Sequence, residues 1–99
     1  MSEYLDPTHP GDHLAEFLEE HGLSQYRAAR DMSVPPRRLN EIVQGKRGVS
    51  ADTALRLGRY FSTSPQFWMN LQDRYEMETA RAELGDRLEE EVRPLQTST

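Results

Sequence analysis

Arg37, Asn40, Glu41 and Gln44 stand at the spacing i, i+3, i+4, i+7, which puts all four on one face of a helix. Their shared chemistry is that of reading base edges. An arginine fork matches guanine O6 and N7, asparagine or glutamine matches adenine, and a carboxylate accepts from cytosine N4. Leu39, Ile42 and Val43 fall on the other face and supply the apolar side by which such a helix is held. An ordinary helical hairpin with a solvated polar face has the same pattern. The neighbouring elements decide between the two.

The run LSQYRAARDMSVPPRRLNEIVQ, residues 23–44, predicts two short helices joined by a tight turn. Ser24 is placed to cap the first, with Ala28, Ala29 and Met32 on its inner side. Ser33 and Val34 break it. Pro35 and Pro36 suit the first turn of the second helix, where a missing N–H costs nothing. A short helix that buries one face and shows arginine and asparagine on the other is what helix-turn-helix proteins place in the DNA major groove. Gly45 can close that helix in a left-handed conformation. Lys46 and Arg47 then sit on a loop within reach of phosphates flanking the groove.

The flanking segments read as further helices. His9-Pro10-Gly11-Asp12 starts one that carries Leu14, Phe17 and Leu18 inward and stops at Gly22. Ser50 caps another, with Ala54, Leu57, Gly58 and Phe61 buried and Arg56 and Arg59 pointing away; Gly58 marks a close approach. Ser64-Pro65 opens the last, whose stripe of Phe67, Trp68, Leu71 and Tyr75 is rich in aromatics. Part of that stripe seals the core. A chain this small has few places to bury so many rings, so the same four residues are the expected contacts of a homodimer. Gly85 interrupts or ends the helix, and residues 85–99 read as an acidic, partly disordered tail. Residues 1–8 read as a flexible N-terminus, 9–62 as the DNA-binding unit and 63–84 as the dimerisation helix.

Ninety-nine residues suit one domain with a single core. The absence of cysteine excludes disulfides and thiolate metal sites. No apolar run approaches the ~20 residues of a membrane span, and the acidic start is unlike a signal peptide, so a cytoplasmic protein is expected. The net charge of −5 looks wrong for a DNA binder. The sum hides a segregation, because residues 1–23 carry −6, residues 24–60 carry +5 and residues 61–99 carry −4. Over a Debye length of ~8–10 Å the phosphates respond to the local patch. The acidic ends serve either as solubilising surface or as a docking face for a basic partner.

Two other classes fare worse. His9 and His13 are four apart beside Asp12 and Glu16, but a closed metal site needs further ligands; capping and surface roles fit these histidines better, and neither a metal nor a cofactor is expected. An enzyme is not expected either. There is no cysteine nucleophile, phosphate-cradling glycine loop or convincing acid–base pair, and the hydroxyl residues mostly stand where caps are needed.

Four segments carry a resemblance: HPGDHLAEFLEE, LSQYRAAR, VPPRRLNEIVQGKRGVSADTALRLGRYF and TSPQFWMNLQ. Over about residues 9–82 the chain resembles the HigA-type (VapI-like) antitoxins, within the Xre/lambda-repressor helix-turn-helix class. Three positions depart from the pattern. Ser33 and Ser62 stand where glycine is usual, and Gly58 replaces a usual alanine. The resemblance implies an all-α, five-helix, lambda-repressor-like domain with a C-terminal dimerisation helix. It implies a dimer that binds an inverted-repeat operator in its own promoter and neutralises a basic RelE-like (HigB) mRNA-cleaving toxin. It places groove contacts on Pro36, Arg37, Arg38 and Asn40, and a phosphate contact on Gln25, with Arg27 beside it. The independent stripe adds Gln44 and Glu41. Glu41 either accepts from cytosine or holds Arg37 or Arg38 in place. A stand-alone Xre-family repressor without a toxin is the competing expectation.

Overall fold

Four helices of this chain begin at a residue whose side chain caps the first turn. In a computed structural model, which describes residues 8–96, six helices and no strand are found among the described residues. They are α1 (Pro10–Glu20), α2 (Gln25–Met32), α3 (Pro36–Val43), α4 (Ala51–Phe61), α5 (Pro65–Leu84) and α6 (Arg87–Glu91). Ser24, Ser50 and Ser64 accept from the backbone N–H groups of Arg27, Thr53 and Phe67 at 3.0, 3.3 and 3.0 Å. Each satisfies an orphan donor of its first turn. Proline occupies the first turn of α1, α3 and α5, its fixed φ already helical.

His9 caps α1 in place of a serine, its Nδ1 accepting from Gly11 N–H at 2.8 Å. Its ring also meets Tyr75 of α5 edge-on, with centroids 4.7 Å apart. Burial pushes the His9 pKa below its ordinary 6.5, and the charge of Asp12 only partly opposes this. Only the neutral ring can accept at Nδ1. The unfolded chain therefore binds more protons than the native one in the window below pH 6.5, so stability is complete above 6.5 and falls as pH drops through it. The denaturant midpoint is expected to fall between about pH 7.5 and pH 5. His9→Asn, which caps without titrating, should remove that part of the loss.

Two serines close helices in the left-handed region. Ser33 (φ 59°, ψ 45°) ends α2, and Val34 N–H returns to the Ala29 carbonyl at 3.0 Å. Ser62 (φ 59°, ψ 39°) ends α4 in the same way, with Thr63 N–H on the Gly58 carbonyl at 3.0 Å. A side chain there costs free energy that glycine avoids. Ser33→Gly should accordingly raise stability by about 1 kcal/mol, read as an upward shift of the urea midpoint with unchanged slope.

The core joins Leu14 and Leu18 of α1, Ala28, Ala29 and Met32 of α2, Leu39 and Ile42 of α3, Ala54 and Leu57 of α4, and Trp68 of α5. Val34 and Val49 close it from the connecting loops. Gly58 permits the close approach expected of it. A Cβ there would meet the Thr63 carbonyl and the Pro65 ring at 2.9–3.0 Å. Gly11 permits a closer one, since a Cβ would lie 1.9 Å from the Ile42 carbonyl oxygen. The α1–α3 seam is thus backbone against backbone.

Two expectations change. Six helices rather than five are found among the described residues, because Asp86 to Val92, assigned to the tail, form the short α6 and its caps. Gly85 (φ 53°) separates it from α5. Trp68 does not belong among dimer contacts. It is fully buried, its indole N–H donates to Thr63 Oγ1 at 2.9 Å, and Phe67, Phe17 and Phe61 surround it. Of the N-terminal segment 1–8, all but Thr8 lies outside the described residues, as do residues 97–99 of the tail. Among the described residues no helix is long and apolar enough to cross a membrane, and no group of three His, Asp or Glu could hold a metal.

Candidate nucleic-acid interface

Helices α2 and α3 pack on one another across the three-residue turn Ser33-Val34-Pro35. Val34 is buried and anchors that turn. Leu39 and Ile42, fully buried, fix the inner face of α3. The outer face is therefore set by periodicity alone. Pro36, Arg37, Asn40 and Gln44 are exposed there, Gln44 as the residue that ends the helix.

The polar side chains of this face hold one another. Asn40 Nδ2 donates to Gln25 Oε1 at 3.2 Å, joining the outer face of α3 to the first residue of α2. Arg37 Nε donates to Glu41 Oε2 at 2.7 Å. Arg47, from the loop after α3, reaches Glu41 Oε1 with Nε at 2.9 Å and Nη2 at 2.8 Å. Glu41 therefore bridges Arg37 and Arg47. Of the two arginines offered for the holding role, it takes Arg37 and leaves Arg38. The two guanidinium groups hold its carboxyl below the usual range, Arg37 contributing most, and Glu41 in turn raises the pKa of Arg37.

Arg38 is turned toward α4, where its Nη1 meets Asp52 Oδ2 at 2.6 Å and its side chain is 26% exposed. Arg56 holds the same carboxylate through Nε at 3.1 Å and donates Nη1 to the Met32 carbonyl at 2.9 Å. The bonds from Arg38 and then Arg56 lower the Asp52 pKa from its ordinary value. Arg38 must leave Asp52 to touch a base. Arg27 pairs along its own helix with Asp31 at 3.3 Å, and Tyr60 donates to the same carboxylate at 2.7 Å. That phenol bond is the main cause of the lowered Asp31 pKa. Lys46 is exposed on the loop.

Two positioning groups escaped the sequence reading. Gln72 of α5 is buried, accepts from Val49 N–H at 2.7 Å and donates to Glu76 at 2.7 Å. It fixes the end of the loop that carries Lys46 and Arg47, and Gly48 lies against its amide. Asp52 with Arg56 is the other, binding α3 and the end of α2 to α4. The i,i+4 spacing of Asp52 and Arg56 was visible in the sequence; the contact with Arg38 needs the fold.

Of the aromatic stripe, Phe67, Leu71 and Tyr75 are half-buried. Phe67 stacks edge-on against Trp68 and faces His13. Beyond them Met77, Leu88 and Val92 are exposed apolar side chains.

Two helices locked by a short turn, the second buried on one side and showing arginine and asparagine on the other, define a helix-turn-helix DNA-binding domain. The helix-turn-helix family profile matches residues 14–68, more than half of the chain, and the chain belongs to that family. It is 48% identical over 73 residues to virulence-associated protein I of Dichelobacter nodosus, covering 73% of this chain and 68% of that one. Its fold is that of the HigA-family antitoxins. The Pseudomonas aeruginosa antitoxin HigA, solved with the higBA promoter, superposes with a TM-score of 0.86 at 50% identity, over 91% of this chain and 99% of the other. An addiction-module antidote protein of the HigA family from Coxiella burnetii gives 0.87 at 41% identity, over 92% and 100%. The family is one of DNA-binding regulators and antitoxins rather than enzymes.

Proposed function

We propose that this chain is a HigA-type antitoxin that represses its own operon as a dimer on an inverted-repeat operator and neutralises a RelE-like toxin in the cytoplasm. The observation that carries the reading is the outer face of α3, with Arg37 and Asn40 braced by Glu41 and Gln25. The similarity to an antitoxin solved on its promoter supports it. One module of this size buries only about 600–1,000 Å² on DNA, so useful affinity calls for two half-sites about one helical turn apart. Pro36, Arg37, Asn40 and Gln44 face the bases, Arg38 joins them on leaving Asp52, and Gln25, Arg27, Lys46 and Arg47 face the phosphates. The dimer forms through Phe67, Leu71 and Tyr75 with the exposed apolar residues beyond them.

Arg37 and Arg47 separate the two kinds of contact. Arg37→Ala should lose roughly tenfold to a hundredfold on the operator and relax preference at one base pair. Arg47→Ala should weaken all sequences alike and flatten the salt slope by about one unit. Fluorescence anisotropy on operator and random duplexes checks both. Equal losses on the two duplexes for both variants would remove the base-reading role of Arg37.

The toxin half of the reading rests on charge. Asp12, Glu16, Glu19 and Glu20 are exposed on α1, and Glu89, Glu90 and Glu91 on α6; either surface suits a basic ribonuclease. Affinity purification of the tagged chain at native expression tests it. A small basic partner in near-stoichiometric amount is the expected result. A clean dimer that still shifts its own promoter, with no partner, would show a stand-alone repressor instead.

A further inference from the structure

We infer that Glu41 is a specificity-determining positioning residue: by holding Arg37 Nε and Arg47 in one ion-pair bridge, it trades attraction for any DNA against discrimination of one base pair. The inference rests on the DNA-reading role of α3 and concerns how that role is tuned.

The geometry supports holding over reading. The Glu41 side chain is 21% exposed while that of Arg37, one turn away, is 84% exposed. The carboxylate thus lies behind the guanidinium. Glu41 takes Arg37 by Nε alone, which leaves the two Nη nitrogens for the forked contact with guanine O6 and N7. An exposed arginine without such a brace spreads over many rotamers and must be ordered at the moment of binding. The second oxygen of the same carboxylate binds Arg47 across six residues, so α3 and its following loop approach DNA as one unit. The bridge also sets one negative charge against two positive ones beside the phosphates. Both arginines are then less free to grip any backbone they meet, which lowers the sequence-independent share of binding. The low carboxyl pKa of Glu41 keeps the bridge charged throughout the neutral range.

The test is enrichment from a randomised double-stranded DNA library with the full-length wild type, Glu41→Gln, Arg37→Ala and the double variant, each first checked for an unchanged melting temperature. The wild type should enrich a defined sequence. Glu41→Gln should lose preference at the base pair lost in Arg37→Ala and at no other. In the Arg37→Ala background it should change the preferences no further. Its affinity for random duplex should rise severalfold, with a salt slope steeper by about one unit. A lost preference at a different base pair, or one that adds to that of Arg37→Ala, would make Glu41 a base reader and overturn the inference. Unchanged preferences and unchanged random-duplex affinity would overturn it too. If the wild type itself enriches nothing, it is the DNA-reading role of α3 that fails.

Discussion

Trp68→Ala is expected to remove about 3–5 kcal/mol of folding stability, with the melting temperature falling by roughly 15 °C or more. The indole is fully buried between α1, α4 and α5, within 5.2 Å of the Phe17 ring and 5.1 Å of the Phe67 ring, centroid to centroid. Truncation deletes the largest side chain of the core and leaves a cavity that those rings can only partly refill. It also removes the donor that satisfies Thr63 Oγ1. Domains of this kind hold only about 5–15 kcal/mol in total, so the loss is a large share. The measurement separates a core residue from a dimer contact. A core residue lowers the unfolding midpoint equally at all protein concentrations, whereas an interface residue leaves a well-folded monomer and changes the dimer dissociation constant. A folded, monomeric Trp68→Ala with an unaltered midpoint would put the indole at the interface after all. Trp68→Phe keeps most of the volume and loses the hydrogen bond, and should fall between the wild type and the alanine variant.

Trp68 also shows where the sequence stopped being informative. The caps were legible because capping is local. Ser24, Ser50 and Ser64 each bond a backbone N–H three residues on, and no distant element can change that. The outer face of α3 was legible for the same reason, since the shared placement of Arg37, Asn40 and Glu41 needs only the period of one helix. The left-handed bends at Ser33 and Ser62 fall at the two positions where the resembled family usually has glycine. Whether the Phe67–Tyr75 stripe faces inward or outward is a different kind of question. Periodicity says that these residues share a face and is silent on what covers it. Only the placement of α1 and α4 around α5 buries Trp68 and leaves Phe67, Leu71 and Tyr75 half-covered. The same limit hid the bond from Gln72 to Val49, 23 residues apart, and that from Arg38 to Asp52, 14 apart. Neither residue type nor spacing announces such a pair. The short α6 was hidden for another reason, because five acidic-rich residues after a glycine have too little pattern to separate a helical turn from a tail.

Gly11 is the residue whose replacement should damage the recognition surface from furthest outside it. The sequence presents it as one small residue in a helix start. In the fold it is the point where the backbone of α1 crosses that of α3, and an added Cβ would lie 1.9 Å from the Ile42 carbonyl oxygen and 2.8 Å from its carbon. Neither atom belongs to a flexible side chain that could step aside, so the helices themselves must part. Ile42 is fully buried, and its carbonyl accepts from Gly45 N–H in the turn leading to Lys46 and Arg47. Separation therefore strains the anchor of α3 and the loop beside it together. On the α1 side, Gly11 N–H holds the His9 cap, and His9 in turn meets Tyr75 of α5. Gly11→Ala should cost about 3 kcal/mol, at the upper end for overpacking because the clash is with backbone. It should also weaken operator binding more than random-duplex binding, since base contacts depend on the placement of α3 and phosphate contacts tolerate displacement better. Urea unfolding with anisotropy titrations on both duplexes measures the two effects on one variant. A stability loss with the ratio of the two affinities unchanged would mean that α3 keeps its placement, and that α1 yields alone.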